Sequence, residues 1–292
     1  MIFVNMRGNL GNQLFTYSFA KKIQETTNQK ICINYYNLKK YRPDYTLSIN
    51  KYVLNSNVIY DCTKPLPWFI NQYFILTRIV RKIMPNIYFN IMKLFGCYAW
   101  LGNNYKKIRI NKHRNYYVDG YFQCDRYFSD IKDELLKDLT PKEKPNKEND
   151  DLYDKIINSE SVCVTIRRGD YVTNEKYKKE FFICDEEYFL NGISTINKIK
   201  PNCKLFIFSD DIEWAKNNLK FNNEVYFESG KDSVCEKLRL MSACKYFIIS
   251  NSSFSWWAQY MSKNENKIVI APRIWKADGS TGDIYQDNWI LI

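Results

Sequence analysis

The chain has 292 residues, of which 45% are hydrophobic and 26% charged, a balance that excludes wholesale disorder. Its 10 Gly and 8 Pro exclude a collagen-like or linker-dominated polymer. The formal net charge of +11 favours anionic partners such as nucleic acid, acidic lipid headgroups or phosphorylated small molecules, and a single histidine, His113, leaves no two-histidine metal site and no HExxH motif.

The first predicted strand, Ile2–Met6, runs into a glycine-bearing turn, Arg7-Gly8-Asn9-Leu10-Gly11-Asn12. A helical pattern follows from Gln13 to about Thr26, with Phe15, Phe19 and Ile23 four residues apart, and Lys30–Asn34 reads as the next strand. This strand, Gly loop, helix, strand opening is typical of α/β proteins. From Tyr35 to Tyr117 the pattern is irregular. Within it, Trp68–Leu101 is aromatic and basic together; core helices are the first expectation and a surface lying against a membrane the second. Asp119–Gln123 leads into a predicted helix over Arg126–Leu139, which reaches the polar segment Thr140–Asp150, the best linker candidate. The expected domains are therefore residues 1–145 and 146–292.

The second half alternates more cleanly. Predicted strands are Ser161–Ile166, Lys204–Phe208, Val225–Phe227, Tyr246–Ile249 and Lys267–Ile270, with helices over Ile212–Leu219, over Asp232–Ala243 and from Phe254 onward. The expected fold is two Rossmann-like domains facing a cleft. No run reaches the roughly 18 apolar residues of a bilayer span, and the start lacks a signal-peptide pattern. Nine scattered cysteines without a CxxC pair point to reduced thiols in a cytoplasmic protein.

Ligands of open α/β sheets sit at the carboxyl ends of the strands. Three predicted strands end in polar clusters: Arg167-Arg168-Gly169-Asp170, Ser209-Asp210-Asp211 and Asn251-Ser252-Ser253. Each cluster has an ordinary structural explanation, an N-cap or a surface charge, but together they suit a nucleoside diphosphate. Guanidinium groups bind phosphate oxygens, Ser252 and Ser253 precede a helix N-terminus, and Asp210 or Asp211 would accept from ribose or base. The Gly8–Asn12 loop is neither GxGxxG nor a P-loop, and Asn12 and Gln13 would hydrogen-bond sugar or phosphate if not used as caps.

Read in order, MRGNLGNQLFTYSFA, GYFQCDRYF, TIRRGDYV, FIFSDDIEWA and IISNSSFSWWAQYM resemble the bacterial α-1,2-fucosyltransferases of glycosyltransferase family 11 over the whole chain. That resemblance implies a GT-B-like fold and inverting, metal-independent transfer of L-fucose from GDP-β-L-fucose to the 2-hydroxyl of a galactoside. It implies no bound cofactor. One departure is Thr165, which stands where the family usually has His.

Arg167, matching the first Arg of the family motif, is the candidate for the β-phosphate. Arg168 is a further donor-binding candidate, with the alternative that, as one of two consecutive residues at a strand end, it turns inward to pair with an acid such as Asp170. Asp170, Glu175 and Glu180 are candidate bases for the acceptor hydroxyl. Trp256 and Trp257 are expected to pack rather than stack on sugar. Expected partners are GDP-fucose and a galactose-containing oligosaccharide of O-antigen synthesis, carried on a lipid diphosphate at the inner membrane. Rival readings are a transferase for another nucleotide sugar and a basic nucleic-acid-binding protein; the latter lacks any RNP, KH or zinc-finger pattern, so no nucleic-acid partner is expected.

Overall fold

The computed structural model describes residues 1–54, 57–102, 104–111 and 114–292; Lys112 and His113 lie outside the described residues. The chain divides into two units, one of Met1–Lys142 with Gly282–Ile284, the other of Glu143–Thr281 with Tyr285–Ile292.

Unit 1 holds a five-stranded parallel sheet. Its strands are β1 (Ile2–Asn5), β2 (Ile31–Asn34), β3 (Val58–Asp61), β4 (Cys97–Trp100) and β5 (Tyr116–Gly120), in the order β3-β2-β1-β5-β4. β1 is central and wholly apolar except for Asn5. The helix Leu10–Thr27 follows it, entered through a left-handed turn at Gly8 (φ +63°), where a Cβ would meet the Asn12 side chain. The helix packs on the sheet through Phe19, whose ring stacks on Phe122 at 3.9 Å between centroids. β3, β4 and β5 are absent from the sequence-based reading, and the helix expected over Arg126–Leu139 is two 3-10 turns, Asp125–Tyr127 and Ser129–Ile131, followed by a helix over Lys132–Asp138 only.

At the carboxyl edge of β1 and β5 lies a buried ion cluster. Asp119, in β5, is fully buried; it forms an ion pair with Arg7 Nη2 at 2.6 Å and accepts from Asn5 Nδ2 at 2.8 Å and from Arg81 Nη1. Arg81 comes from the helix Ile75–Ile83, which turns inward Thr77 and Arg81 and outward its isoleucines. Within Trp68–Leu101 the helix Ile75–Ile83 is therefore not a core helix, because Asp119 draws its polar face inside, whereas Ile70, Phe89 and β4 are buried.

Unit 2 holds a six-stranded parallel sheet. Its strands are β6 (Ser161–Ile166), β7 (Lys204–Ser209), β8 (Val225–Phe227), β9 (Tyr246–Ile249), β10 (Val269–Ala271) and β11 (Ile290–Leu291). The order β11-β10-β9-β6-β7-β8 is the Rossmann order, with the direction of winding reversing between β6 and β9. β6 is buried at every position, as expected of a strand covered on both faces. Its core joins Val162, Val164 and Ile166 with Phe189, Ile193 and Ile196 of the helix Glu186–Ile199. Trp256 and Trp257 are fully buried, so they pack. The Thr140–Asp150 segment is partly regular: Lys147–Asn149 is a 3-10 turn that runs into the helix Asp150–Ile157.

The α/β class expected from the sequence holds in both units. All nine cysteines are free; Cys62 is half-buried and the others are buried. Among the described residues no helix is long and apolar enough to cross a membrane.

A buried carboxylate between two guanidinium groups is a strong structural dependency. Burial disfavours the Asp119 charge, but Arg7 and Arg81 outweigh it and hold the carboxyl below its ordinary value of 3.8. The stability it contributes is complete above that value and is lost as the pH falls through the lower folded one. Asp119→Asn is expected to lower unfolding free energy at pH 7 by about 3–5 kcal/mol, because two buried cations lose their partner. Urea unfolding at pH 7 and at pH 3 checks this: the wild-type advantage over the variant must shrink at the acid end.

Candidate functional site

The site is built where β6, β7 and β9 end. β6 passes from Ile166 directly into Arg167, and β9 from Ile249 into Ser250-Asn251. Thr165 pairs with Ile249 across the two strands, which makes these loops neighbours at the point where the sheet reverses.

Arg167 is held by two carboxylates. Nη1 donates to Asp210 Oδ2 at 2.5 Å and Nη2 to Asp170 Oδ1 at 2.6 Å. Burial opposes the charged guanidinium, but the Asp210 and Asp170 carboxylates outweigh it and raise its pKa above the ordinary arginine value. The side chain is still 31% exposed. Asp210 is a clamp, since its second oxygen accepts from the Arg168 backbone N–H at 2.8 Å. Gly169 leaves room for it, because a Cβ there would lie 2.5 Å from Asp210 Oδ2 and displace that carboxylate. Arg168 turns the other way. Its Nε donates to Asp211 Oδ2 at 3.3 Å and its guanidinium stacks over Trp214 at 3.8 Å.

Several sequence expectations change here. Asp170 pairs with Arg167 and not with Arg168, because the turn after β6 points the two arginines to opposite sides. Asp210 and Asp211 also have structural roles: each Asp210 oxygen accepts a hydrogen bond within the fold, and Asp211 Oδ1 caps the helix Ile212–Asn218 through the Trp214 N–H at 3.2 Å. Asn251 is only 2% exposed; its Nδ2 donates to the carbonyls of Phe181 (2.9 Å) and Trp275 (3.0 Å), so it ties two loops together. Ser252 caps the helix Ser253–Met261 by accepting from Phe254 N at 3.3 Å, and Ser253 is the first residue of that helix. Thr165 is buried and accepts from the Ser250 N–H at 3.2 Å, so its hydroxyl holds β6 to the end of β9.

Glu175 is exposed in the first turn of the helix Glu175–Phe181, whereas Glu180 pairs with Lys276 at 3.0 Å. Asn12 and Gln13 belong to unit 1. Gln13 is fully buried: Nε2 donates to the Gly8 and Thr46 carbonyls, and Oε1 accepts from the Ser48 and Ile49 N–H groups. It pins the 46–49 segment and has no hydrogen-bonding capacity left for a ligand. Asn12 is half-buried and accepts from Gln123 Nε2 at 2.8 Å.

Two neighbours were missed by sequence reasoning. Tyr171 stacks on Phe181 and lies 5.4 Å from the Arg167 guanidinium, and its hydroxyl donates to the Asn251 carbonyl at 3.3 Å. Burial pushes its phenol well up, so it stays a neutral donor. Trp214 supplies the face on which Arg168 rests. Among the described residues no cluster of three His, Cys, Asp or Glu is placed to hold a metal ion.

The family model for glycosyl transferase family 11 matches residues 1–292. The chain belongs to that family. An α-1,2-colitosyltransferase of Escherichia coli is 29% identical over 308 aligned residues, covering 100% of this chain and 99% of the relative. The O-antigen biosynthesis glycosyltransferase WbnK of Escherichia coli is 27% identical, covering 98% of each. Among solved structures, the fucosyltransferase NodZ from Bradyrhizobium superposes with a TM-score of 0.56 at 13% identity, over 89% of this chain and 92% of that one. Arabidopsis thaliana FUT1 superposes at 0.51 and 11%, over 92% and 69%. These two likenesses are of fold, and the fold of this glycosyltransferase is accordingly GT-B-like.

The Asn251 side chain acts as a strut between loops. Asn251→Ala is expected to lower unfolding free energy by about 1–3 kcal/mol, since it leaves two carbonyls without their donor. A melting-temperature measurement checks it; an unchanged midpoint would return Asn251 to the list of ligand-binding candidates.

Proposed function

We propose that this glycosyltransferase moves L-fucose from GDP-β-L-fucose to the 2-hydroxyl of a galactose-containing oligosaccharide, with inversion and without a metal ion. The observation that carries the reading is Arg167. It is a part-exposed guanidinium, fixed by Asp210 and Asp170, at the strand-end reversal of a Rossmann sheet in a chain of family 11. NodZ, of like fold, was crystallised with GDP.

In the proposed reaction the acceptor oxygen attacks the anomeric carbon from the face opposite GDP. The bond from that carbon to the β-phosphate oxygen breaks, GDP leaves with the electron pair, and the hydroxyl proton passes to a carboxylate; Asp170 and Glu175 are the candidates. Arg167 takes up charge as it develops on the leaving diphosphate. Its N–H groups are oriented before the donor arrives, so little rearrangement remains at the moment of transfer. The start of the helix Ser253–Met261 adds its N-terminal dipole from β9. The acceptor is proposed to be a lipid-diphosphate-linked intermediate of surface polysaccharide at the cytoplasmic face of the inner membrane.

A second reading concerns the donor only. The relative that transfers colitose matches the whole chain. Colitose lacks one hydroxyl of fucose, and a pocket built to hydrogen-bond that hydroxyl rejects the deoxy sugar strongly, whereas one without such a group accepts both.

Incubation with GDP-fucose or GDP-colitose and a panel of galactosides, read by mass spectrometry with EDTA present, tests the reading. Transfer of fucose undiminished by EDTA is expected. Arg167→Ala is expected to lower kcat by about 10²–10³ with a nearly unchanged melting temperature. Full activity in that variant, or dependence on a divalent ion, overturns the assignment.

A further inference from the structure

The helix Ile75–Ile83 of unit 1 has the amphipathic pattern of a surface helix turned inside out. Its inward residues are polar: Thr77 and Arg81 are 4% and 8% exposed. Thr77 Oγ1 donates to the Trp68 carbonyl at 2.5 Å, and Arg81 donates to the Ile70 carbonyl and to Asp119. Its outward residues Ile75, Leu76, Ile79, Val80 and Ile83 are between 45% and 67% exposed. A surface helix that ends at water shows the reverse arrangement. The exposure continues through the helix Pro85–Met92 and the turn after it, where Ile87, Ile91, Leu94 and Phe95 are each more than half exposed. Trp68 precedes it at 62%, its ring 5.7 Å from that of Phe74. Isolated exposed aliphatic residues are ordinary, but a run of this kind marks an interaction surface.

Charge decides what covers it. No Asp or Glu occurs between Asp61 and Asp119, while Arg78, Lys82, Lys107 and Arg109 in that stretch are exposed. Arg78 and Lys82 share the helix with the outward isoleucines. A two-fold contact with a second copy would bring these like charges together with no acid of the segment to pair them. Nucleic acid offers phosphates but nothing for the aliphatic face. An anionic bilayer offers both, acyl chains for isoleucine and leucine and lipid phosphates for arginine and lysine. The helix Ile75–Ile83 has 9 residues, too short to span a bilayer, which takes about 20.

The geometry points to a monotopic docking surface over residues 68–95: the outward apolar side chains enter the headgroup region of an anionic membrane, and Arg78 and Lys82 rest on its phosphates. The surface is independent of the sugar-transfer reading and stands if that reading falls.

Co-sedimentation of the full chain with vesicles of phosphatidylcholine, alone or mixed with phosphatidylglycerol, tests it. Binding to the anionic vesicles at low salt is expected, weakening as salt rises. Arg78→Gln with Lys82→Gln is expected to weaken it about twenty-five-fold, taking each basic group at the membrane surface as worth about fivefold. Leu76→Ser, Ile79→Ser and Ile83→Ser together should weaken it at least tenfold, whereas Ile199→Ser, an exposed aliphatic residue of unit 2, should not. All these side chains are exposed, so circular dichroism and melting should match wild type. Absence of binding to anionic vesicles, equal loss with Ile199→Ser, or a self-association removed by the triple substitution without vesicle binding, each overturns the proposal. Transfer to a soluble galactoside by the same variants should be unchanged, and failure of wild-type transfer would undo the proposed reaction without altering the vesicle result.

Discussion

A guanidinium held by a carboxylate at the end of a parallel strand is the interaction on which both units turn. In unit 1 the carboxylate is Asp119, buried among Arg7, Arg81 and Asn5. An ionised carboxyl without partners is too costly to bury there, so the chain must deliver cations to it. Arg7 arrives directly from β1. Arg81 arrives on a helix, and its reach inward fixes which side of that helix meets the protein. The aliphatic side is left facing out as a consequence of satisfying one charge.

In unit 2 the same pairing serves presentation. Three carboxylates, Asp170, Asp210 and Asp211, surround Arg167 and Arg168, so the cluster carries no positive surplus of its own. The net +11 of the chain is therefore not concentrated there. What the cluster offers an anion is direction: a part-exposed guanidinium whose plane is set by two acceptors.

The sequence disclosed unit 2 well because its strands are continuous apolar runs punctuated by polar turns, as in SVCVTI before Arg167 and KLFIF before Ser209. Unit 1 was harder. β3 is half-exposed, with Ile59 and Tyr60 outward, and β4 and β5 are four- and five-residue strands inside aromatic sequence with no clear period. The polar positions show a sharper limit. Gln13, Asn251, Asp210 and Thr165 lie in the right motifs, yet their hydrogen bonds are used within the fold; sequence gives a side chain's chemistry but not its partners. One signal was readable in hindsight: an aspartate inside the apolar run YYVDGYF must be paired.

The buried thiols have a separate consequence. Burial pushes Cys97 and Cys184 up to about 12 and Cys32 up to about 11, against an ordinary 9.0. The thiolate is the nucleophile, so these sulfurs are shielded twice, by enclosure and by protonation. Cys62 alone is half-buried. An alkylating reagent at neutral pH therefore meets one accessible sulfur and then waits on spontaneous breathing of the two sheets, which makes the molecule a built-in clock for its own transient openings.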